Sequence, residues 1–152
     1  KIVPFNDNAA KAIDKQEVYP GPVKGFTEEV YKIYPKADKF GKAWAMLTSP
    51  KGDRGVTISW PVKQLPYLTQ WKNTAAETTG YVTGIEPGTG FPHNRSYERK
   101  YGRVPKLAPG KTRSFDLEFK VLGNKEDVKT ASEVIKKLQG TVGPEIQKQP
   151  EE

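Results

Sequence analysis

The stretch Gly80-Tyr81-Val82-Thr83-Gly84-Ile85-Glu86-Pro87-Gly88-Thr89-Gly90-Phe91-Pro92 constrains the fold more than any other part of this chain. Tyr81, Val82, Thr83 and Ile85 favour an extended, half-buried strand. Pro87, Gly88 and Gly90 stop it, because proline cannot donate to a ladder and glycine permits positive φ. The pattern predicts a β-strand that ends on one carboxylate, Glu86, with a turn directly after it. A strand end is a rigid support from which a carboxylate can be aimed at a bound molecule. Glu86 is the first candidate for chemistry.

Such punctuation recurs along the chain. Thirteen prolines and fourteen glycines in 152 residues suit many short strands better than a helical bundle. After an irregular leading segment, 1–22, strands are expected at 30–34, 43–48, 55–60, 67–72, 81–86, 103–106 and 113–122. Val56, Ile58 and Trp60 alternate with Thr57 and Ser59, and Phe115, Leu117, Phe119 and Val121 alternate with Asp116, Glu118 and Lys120. Each of these two strands therefore has one apolar face. A helix follows: Asn124 suits an N-cap, Glu126 and Asp127 the first turn, and Gly140 the end. Its stripe of Val128, Ala131, Val134, Ile135 and Leu138 suits docking on a sheet. Residues 141–152 read as a tail. No internal repeat or linker to a second domain is visible.

Composition narrows the chemistry. The absence of cysteine excludes disulfides, thiol nucleophiles and thiolate metal sites. With His93 as the single histidine, a transition-metal site has too few donors. No run approaches the ~20 apolar residues that span a bilayer, so no membrane partner is expected. The net charge of +7 favours polyanions in principle, but a Lys-rich solvated surface is the preferred explanation. Arg95, Arg99, Lys100 and Arg103, with Tyr97 and Tyr101 between them, could pair phosphates and stack bases. No nucleic-acid motif accompanies them, and Glu86 and Glu98 would repel phosphate, so nucleic acid is a minor alternative. The chain begins at Lys1 with no signal-peptide pattern, so the native N-terminus is expected upstream and the compartment stays open.

Several motifs carry a resemblance. Glu86-Pro87, Phe91-Pro92, Leu107-Ala108-Pro109-Gly110 and Ser114-Phe115-Asp116-Leu117-Glu118-Phe119 together resemble the C-terminal end of the aldose 1-epimerase (galactose mutarotase-like) superfamily. There a strand delivers a catalytic Glu, a Pro-containing loop follows, and an L-x-P-G turn leads into the closing strand. Trp71-Lys72-Asn73, Gly84 to Thr89, Arg95, Glu98, Gly102-Arg103-Val104 and Leu107 are similar to an uncharacterised bacterial aldose-epimerase-like branch. Gly21-Pro22, Gly25-Phe26, Glu28 and Val30-Tyr31 fit the same branch, and the match runs from about Val3 to Val121. The resemblance implies an all-β mutarotase-like sandwich (a supersandwich). Residues 1–122 would be its C-terminal part, 123–140 a helix docked on the sheet, and 141–152 a tail. That fold is larger than this chain. A missing N-terminal half or a second chain is therefore expected to cover inner faces that include Trp60, Phe115 and Phe119.

The resemblance also implies carbohydrate binding with aldose 1-epimerase-type chemistry, in which the C1 hydroxyl loses a proton while the ring oxygen gains one and no cofactor is needed. Glu86 would be the base. Glu28 falls where the family carries an acidic sugar-binding residue. The family's catalytic histidines lie in the absent half, so His93, in the loop beside the site, reads as a solvated side chain or a substrate ligand. The spacing from Glu86 to Pro92 is slightly longer than in well-known mutarotases, and His93 stands where an acid is often found. Trp71, at its strand end among Gln70, Lys72 and Asn73, is either a platform for a sugar ring or core, whereas Trp44 and Trp60 read as core. Arg95 could pair with Glu86 or bind an acidic or phosphorylated sugar. In the alternative, a non-catalytic or structural sandwich, Glu86 only hydrogen-bonds a hydroxyl. The chain alone, without an acid facing Glu86, is expected to be inactive.

Overall fold

Side-chain alternation sorts the strands into two antiparallel sheets in a computed structural model that describes residues 1–151. The strands are β1 (Ile2–Pro4), β2 (Glu29–Ile33), β3 (Lys42–Thr48), β4 (Gly55–Pro61), β5 (Tyr67–Thr74), β6 (Tyr81–Gly88) and β7 (Glu118–Leu122). One sheet has the order β1-β2-β5-β6 and the other β3-β4-β7. Three helices accompany them: α1 (Asp7–Ala12), α2 (Arg95–Lys100) and α3 (Lys125–Gln139). The architecture is mostly β, with a helix near its C-terminal end.

The core forms where the sheets face each other. Ala43, Ile58, Trp60, Leu65 and Leu68 are buried together, with Ile33, Ala45, Val62 and Ile85 packed around them. Trp60 is 0% exposed, and its indole N–H donates to the Leu65 carbonyl oxygen at 2.9 Å, so the buried donor is satisfied. A second cluster, Ile2, Ala9, Ile13 and Tyr31, seats α1 on the four-stranded sheet. The opposite face of the three-stranded sheet also faces a helix. There Trp44, Thr57 and Ser59 meet Thr130, Ala131 and Val134 of α3 around a cavity of ≈ 240 Å³. Asn124 caps α3 by accepting from the Asp127 N–H at 3.0 Å, as its position predicts.

Five expectations need correction. The leading segment is ordered: Ile2 and Val3 pair with Ile33 and Lys32, and Asn6 caps α1 by accepting from the Ala9 N–H at 2.9 Å. β6 does not end on Glu86, because Pro87 and Gly88 continue its ladder opposite Leu68 and Tyr67; further on, residues 95–100 form a helix, capped by Asn94 accepting from the Tyr97 N–H at 2.9 Å. No strand exists at 103–106, because the Arg103 N–H closes back on the Glu98 carbonyl at 2.9 Å and ends α2 instead. The last strand starts only at Glu118. Its ladder on β4 stops at Ser59, and upstream the Gln64 side chain takes over, accepting from the Asp116 N–H at 2.7 Å.

The expectation for the inner faces divides. Trp60 is buried by this chain's own residues and needs no other cover. Phe119 and Val121 share its sheet face through the pairs Ile58–Phe119 and Val56–Val121, yet are 68% and 81% exposed. Phe115 and Leu117 are exposed as well. One apolar face therefore contains a buried half and a bare half. Trp60→Ala should cost about 3–5 kcal/mol of stability, and Phe119→Ala should stay within about 0.5 kcal/mol. Urea unfolding of both variants checks the contrast.

Candidate functional site

Cross-strand register places the candidate residues on the face of the four-stranded sheet that looks away from the Trp60 core. Partners in adjacent strands share a face, and alternate residues along a strand do too. Lys32, Thr69 and Glu86 are successive partners across β2, β5 and β6, and Val30, Trp71 and Gly84 form the neighbouring row. Glu86 is exposed and forms no ion pair among the described residues, so the expected pairing with Arg95 is not present. Its carboxylate folds back over Gly84. A Cβ at Gly84 would collide with Glu86 Oε1, so the glycine opposite Trp71 leaves the space that the carboxylate occupies. Trp71 is half-buried, and its indole N–H donates to Glu28 Oε2 at 2.7 Å. Glu86, Trp71 and Glu28 therefore meet on one stretch of sheet.

A loop wall stands over the β1 side of the same face. Phe91 packs on Tyr34 and Tyr67 with ring centroids 5.2 and 4.7 Å apart. His93 lies 4.6 Å from Phe5 and stacks on Tyr97 at 4.0 Å. The wall is pinned by Glu98, 4% exposed, whose two oxygens accept from Arg103 Nε and Nη2 at 2.7 Å each. Glu98 also accepts from the Phe91 N–H at 3.0 Å. Gly90 permits this approach, since a Cβ there would come within 2.6 Å of Glu98 Oε2. The Arg103 guanidinium sits between rings, 4.7 Å from Tyr101 and 5.5 Å from Phe91. A cavity of ≈ 510 Å³ opens beside it, lined by Phe91, His93, Arg95, Glu98 and Arg103 among others.

Burial, then the Lys32 ammonium, hold the His93 imidazole below its ordinary pKa, against the opposing pull of Glu98. His93 Nε2 is buried without a hydrogen-bond partner among the described residues. Burial would raise Glu98, but the hydrogen bonds from Arg103 and the Phe91 N–H outweigh it and hold the carboxyl below its usual range.

The structure thus brings Glu86, Trp71 and Glu28 together and sets His93 and Arg95 apart on the loop wall. Phe5 continues the register of β1 opposite Val30, to whose carbonyl its N–H donates at 2.8 Å. The strand next to His93 is therefore three spacings from β6, about 14 Å. His93 does not stand directly opposite Glu86. Sequence reasoning missed Gly84, Lys32 and the pinning role of the Glu98–Arg103 pair. An acid and an arginine five residues apart around Gly102 could have signalled the last; Lys32, inside an apolar strand, could have signalled a buried cation.

The arrangement belongs to the aldose-epimerase-like class of folds. Residues 1–121 match the family described as "Domain of unknown function (DUF4432)", and the chain belongs to that family. It is also similar to a solved structure from Klebsiella pneumoniae subsp. pneumoniae MGH 78578, described as "a putative aldose 1-epimerase", at 39% identity and a TM-score of 0.91. That similarity covers 99% of this chain and 40% of the other, so this chain spans well under half the length of its structural relative. No curated protein matches it.

Glu98 supplies a test of the wall. Its pKa is lower folded than unfolded, so the pair's contribution is complete above the unfolded carboxylate range and is lost as pH falls through the folded value. Glu98→Gln leaves Arg103 without its carboxylate and should cost roughly 3–5 kcal/mol at pH 7. The gap between wild type and variant should narrow below about pH 4. Thermal melts across pH read both effects.

Proposed function

We propose that the β2-β5-β6 face binds a carbohydrate, with Trp71 as the platform for the ring and Glu28 holding the indole in place. Glu86 is the general base of an aldose 1-epimerase-type reaction. It takes the C1 hydroxyl proton as the bond from C1 to the ring oxygen breaks, and the ring oxygen is protonated. Rotation of the open-chain aldehyde and reclosure then give the other anomer. His93 and Arg95 contact outlying parts of a larger sugar from the loop wall. The observation that carries this reading is the seating of an unpaired carboxylate over Gly84, the cross-strand partner of Trp71. The description of the Klebsiella structure supports the same chemistry.

The proton donor to the ring oxygen is proposed to come from further polypeptide, equivalent to the remainder of the longer relative, which also covers Phe119 and Val121. The chain alone is then a binder, and the completed sandwich is the enzyme. The second reading is a non-catalytic carbohydrate-binding sandwich, favoured by the position of His93 away from Glu86.

Binding is read by tryptophan fluorescence over a panel of monosaccharides, and catalysis by polarimetry of a freshly dissolved pure anomer, corrected for spontaneous mutarotation. The measurements use the chain alone and the chain co-expressed with the part of the relative that it lacks. Trp71→Ala should weaken binding by about 1–3 kcal/mol. Unchanged affinity would remove the platform. Glu86→Gln should keep binding and lower the catalysed rate by about 100-fold or more. Equal rates for wild type and Glu86→Gln, both above background, would remove Glu86 from the mechanism. Binding without any catalysed rate would select the second reading.

A further inference from the structure

One cation on the proposed sugar face is saturated by a carboxylate from far along the chain. Lys32 is 1% exposed, and its Nζ donates to Glu151 Oε2 at 2.7 Å, 119 residues away in sequence. The approach of Glu151 is guided by the chain before it. The Ile2 N–H donates to the Glu145 carbonyl at 2.8 Å, and the Gln147 N–H donates to the Ile2 carbonyl at 2.9 Å. Lys1 Nζ is 3.7 Å from the other Glu151 oxygen, and the Phe91 ring centroid is 5.9 Å from Lys32 Nζ. Glu151 is the outer member of the pair: its side chain is 32% exposed, whereas the lysine beneath it is sealed.

The position of Lys32 is what gives this contact meaning. It lies in the same cross-strand row as Glu86, with only Thr69 between them, and diagonal to Trp71. Two strand spacings separate the Lys32 and Glu86 backbones, about 10 Å, with both side chains on the same face. A pyranose stacked on Trp71 with C1 toward Glu86 would direct the substituent at its far end toward Lys32. The buried His93 Nε2, which has no hydrogen-bond partner among the described residues, feels the charges of both Lys32 and Glu151. The nearby Arg103 guanidinium is already committed to Glu98.

We propose that Lys32 is a carboxylate-recognition point of the sugar site, that the substrate class is a sugar acid, and that the Glu151 carboxylate stands in for the sugar's own and competes with it. This rests on the carbohydrate-binding reading of the Glu86–Trp71 face. It adds both a ligand class and an intrinsic competitor.

The test measures affinity by Trp71 fluorescence for glucuronate, galacturonate, glucose, galactose and glucose 6-phosphate, using wild type, Glu151→Gln and Lys32→Met. Glu151→Gln should bind one of the uronates at least 5-fold more tightly than wild type, with affinity for the matching neutral sugar changed less than 2-fold. Lys32→Met should erase the uronate preference; if it does not fold, Glu151→Gln alone decides. Neutral sugars binding as well as uronates in Glu151→Gln would overturn the proposal and leave the sugar-binding reading standing. A gain confined to glucose 6-phosphate would overturn the assignment to carboxylates. No binding of any sugar by any variant would overturn both.

Discussion

The packing of Leu68 against Trp60 fixes the register of β5, and the rest of the molecule depends on that register. β5 lies between β2 and β6, and its residues alternate between two environments. Leu68, Gln70, Lys72 and Thr74 turn toward the side of the core, while Thr69, Trp71 and Asn73 turn the other way. A slip of one residue would exchange the two sets. Trp71 would move into the place of Gln70 on the core side, Thr69 into that of Leu68, and Lys72 would take the place of Trp71 opposite Gly84. The apolar contact in the core thus decides which side chains are available at the candidate site. The same ladder then carries the choice to both neighbours, because Trp71 is paired with Val30 on one side and Gly84 on the other.

Buried charge follows a second constraint. A cation removed from water needs a carboxylate, since leaving it alone costs several kcal/mol. Lys72, on the core-facing side of β5, is held by Glu29 at 2.9 Å, and Glu29 also accepts from the Tyr31 hydroxyl at 2.8 Å. Burial, and then that hydrogen bond, push the Tyr31 phenol well above its ordinary pKa, so it stays a donor. Arg103 is held by Glu98 and Lys32 by Glu151. Each sealed cation named here has its own acid. In a chain with 25 Lys and Arg against 18 Asp and Glu, carboxylates are the scarcer group. Glu86 is nevertheless left without an ion pair among the described residues, folded over Gly84 of its own strand.

What could be read in advance follows from the range of the forces involved. Strands β3 to β6 and the Asn124 cap were legible because alternation, turn residues and capping act over a few residues. The strand that carries Glu86 was legible for the same reason, but its end was not, because Pro87 and Gly88 stay paired with Leu68 and Tyr67 instead of stopping the ladder. The course of 1–22 was not, because its order comes from pairing with β2 and from Ile2 and Ala9 packing on Tyr31, all distant in sequence. The strong alternation of 113–122 misled in the other direction. Phe115 and Leu117 have the pattern of a strand, but β4 offers no partner beyond Ser59, so the pattern exists without a ladder. At the site, Glu86, Trp71 and Glu28 carried local signals. Lys32 and Gly84 acquire their roles only from cross-strand neighbours, and those depend on a register that the sequence does not spell out.

The two bare surfaces of the molecule bear on whether Glu86 can act as a base. A carboxylate facing open water is weakly coupled to its surroundings, because solvent screens the charges that would otherwise stabilise a transition state. The candidate face is walled only on the side of Phe91 and His93, whereas Glu86 on β6 is exposed. On the second sheet, Phe119 and Val121 continue an apolar face beyond the point where Trp60 and Leu68 fill it. Polypeptide laid over Phe119 and Val121 would extend the sandwich from its existing core. If the same polypeptide reached the β6 edge, it would exclude water from Glu86 and could bring a proton donor to the ring oxygen. On the proposed reading, completing the hydrophobic core and activating the carboxylate are therefore linked. On that reading the rigid sheet would supply the base and the platform, and closure would supply the acid and the dry surroundings in which a proton-transfer pair is effective.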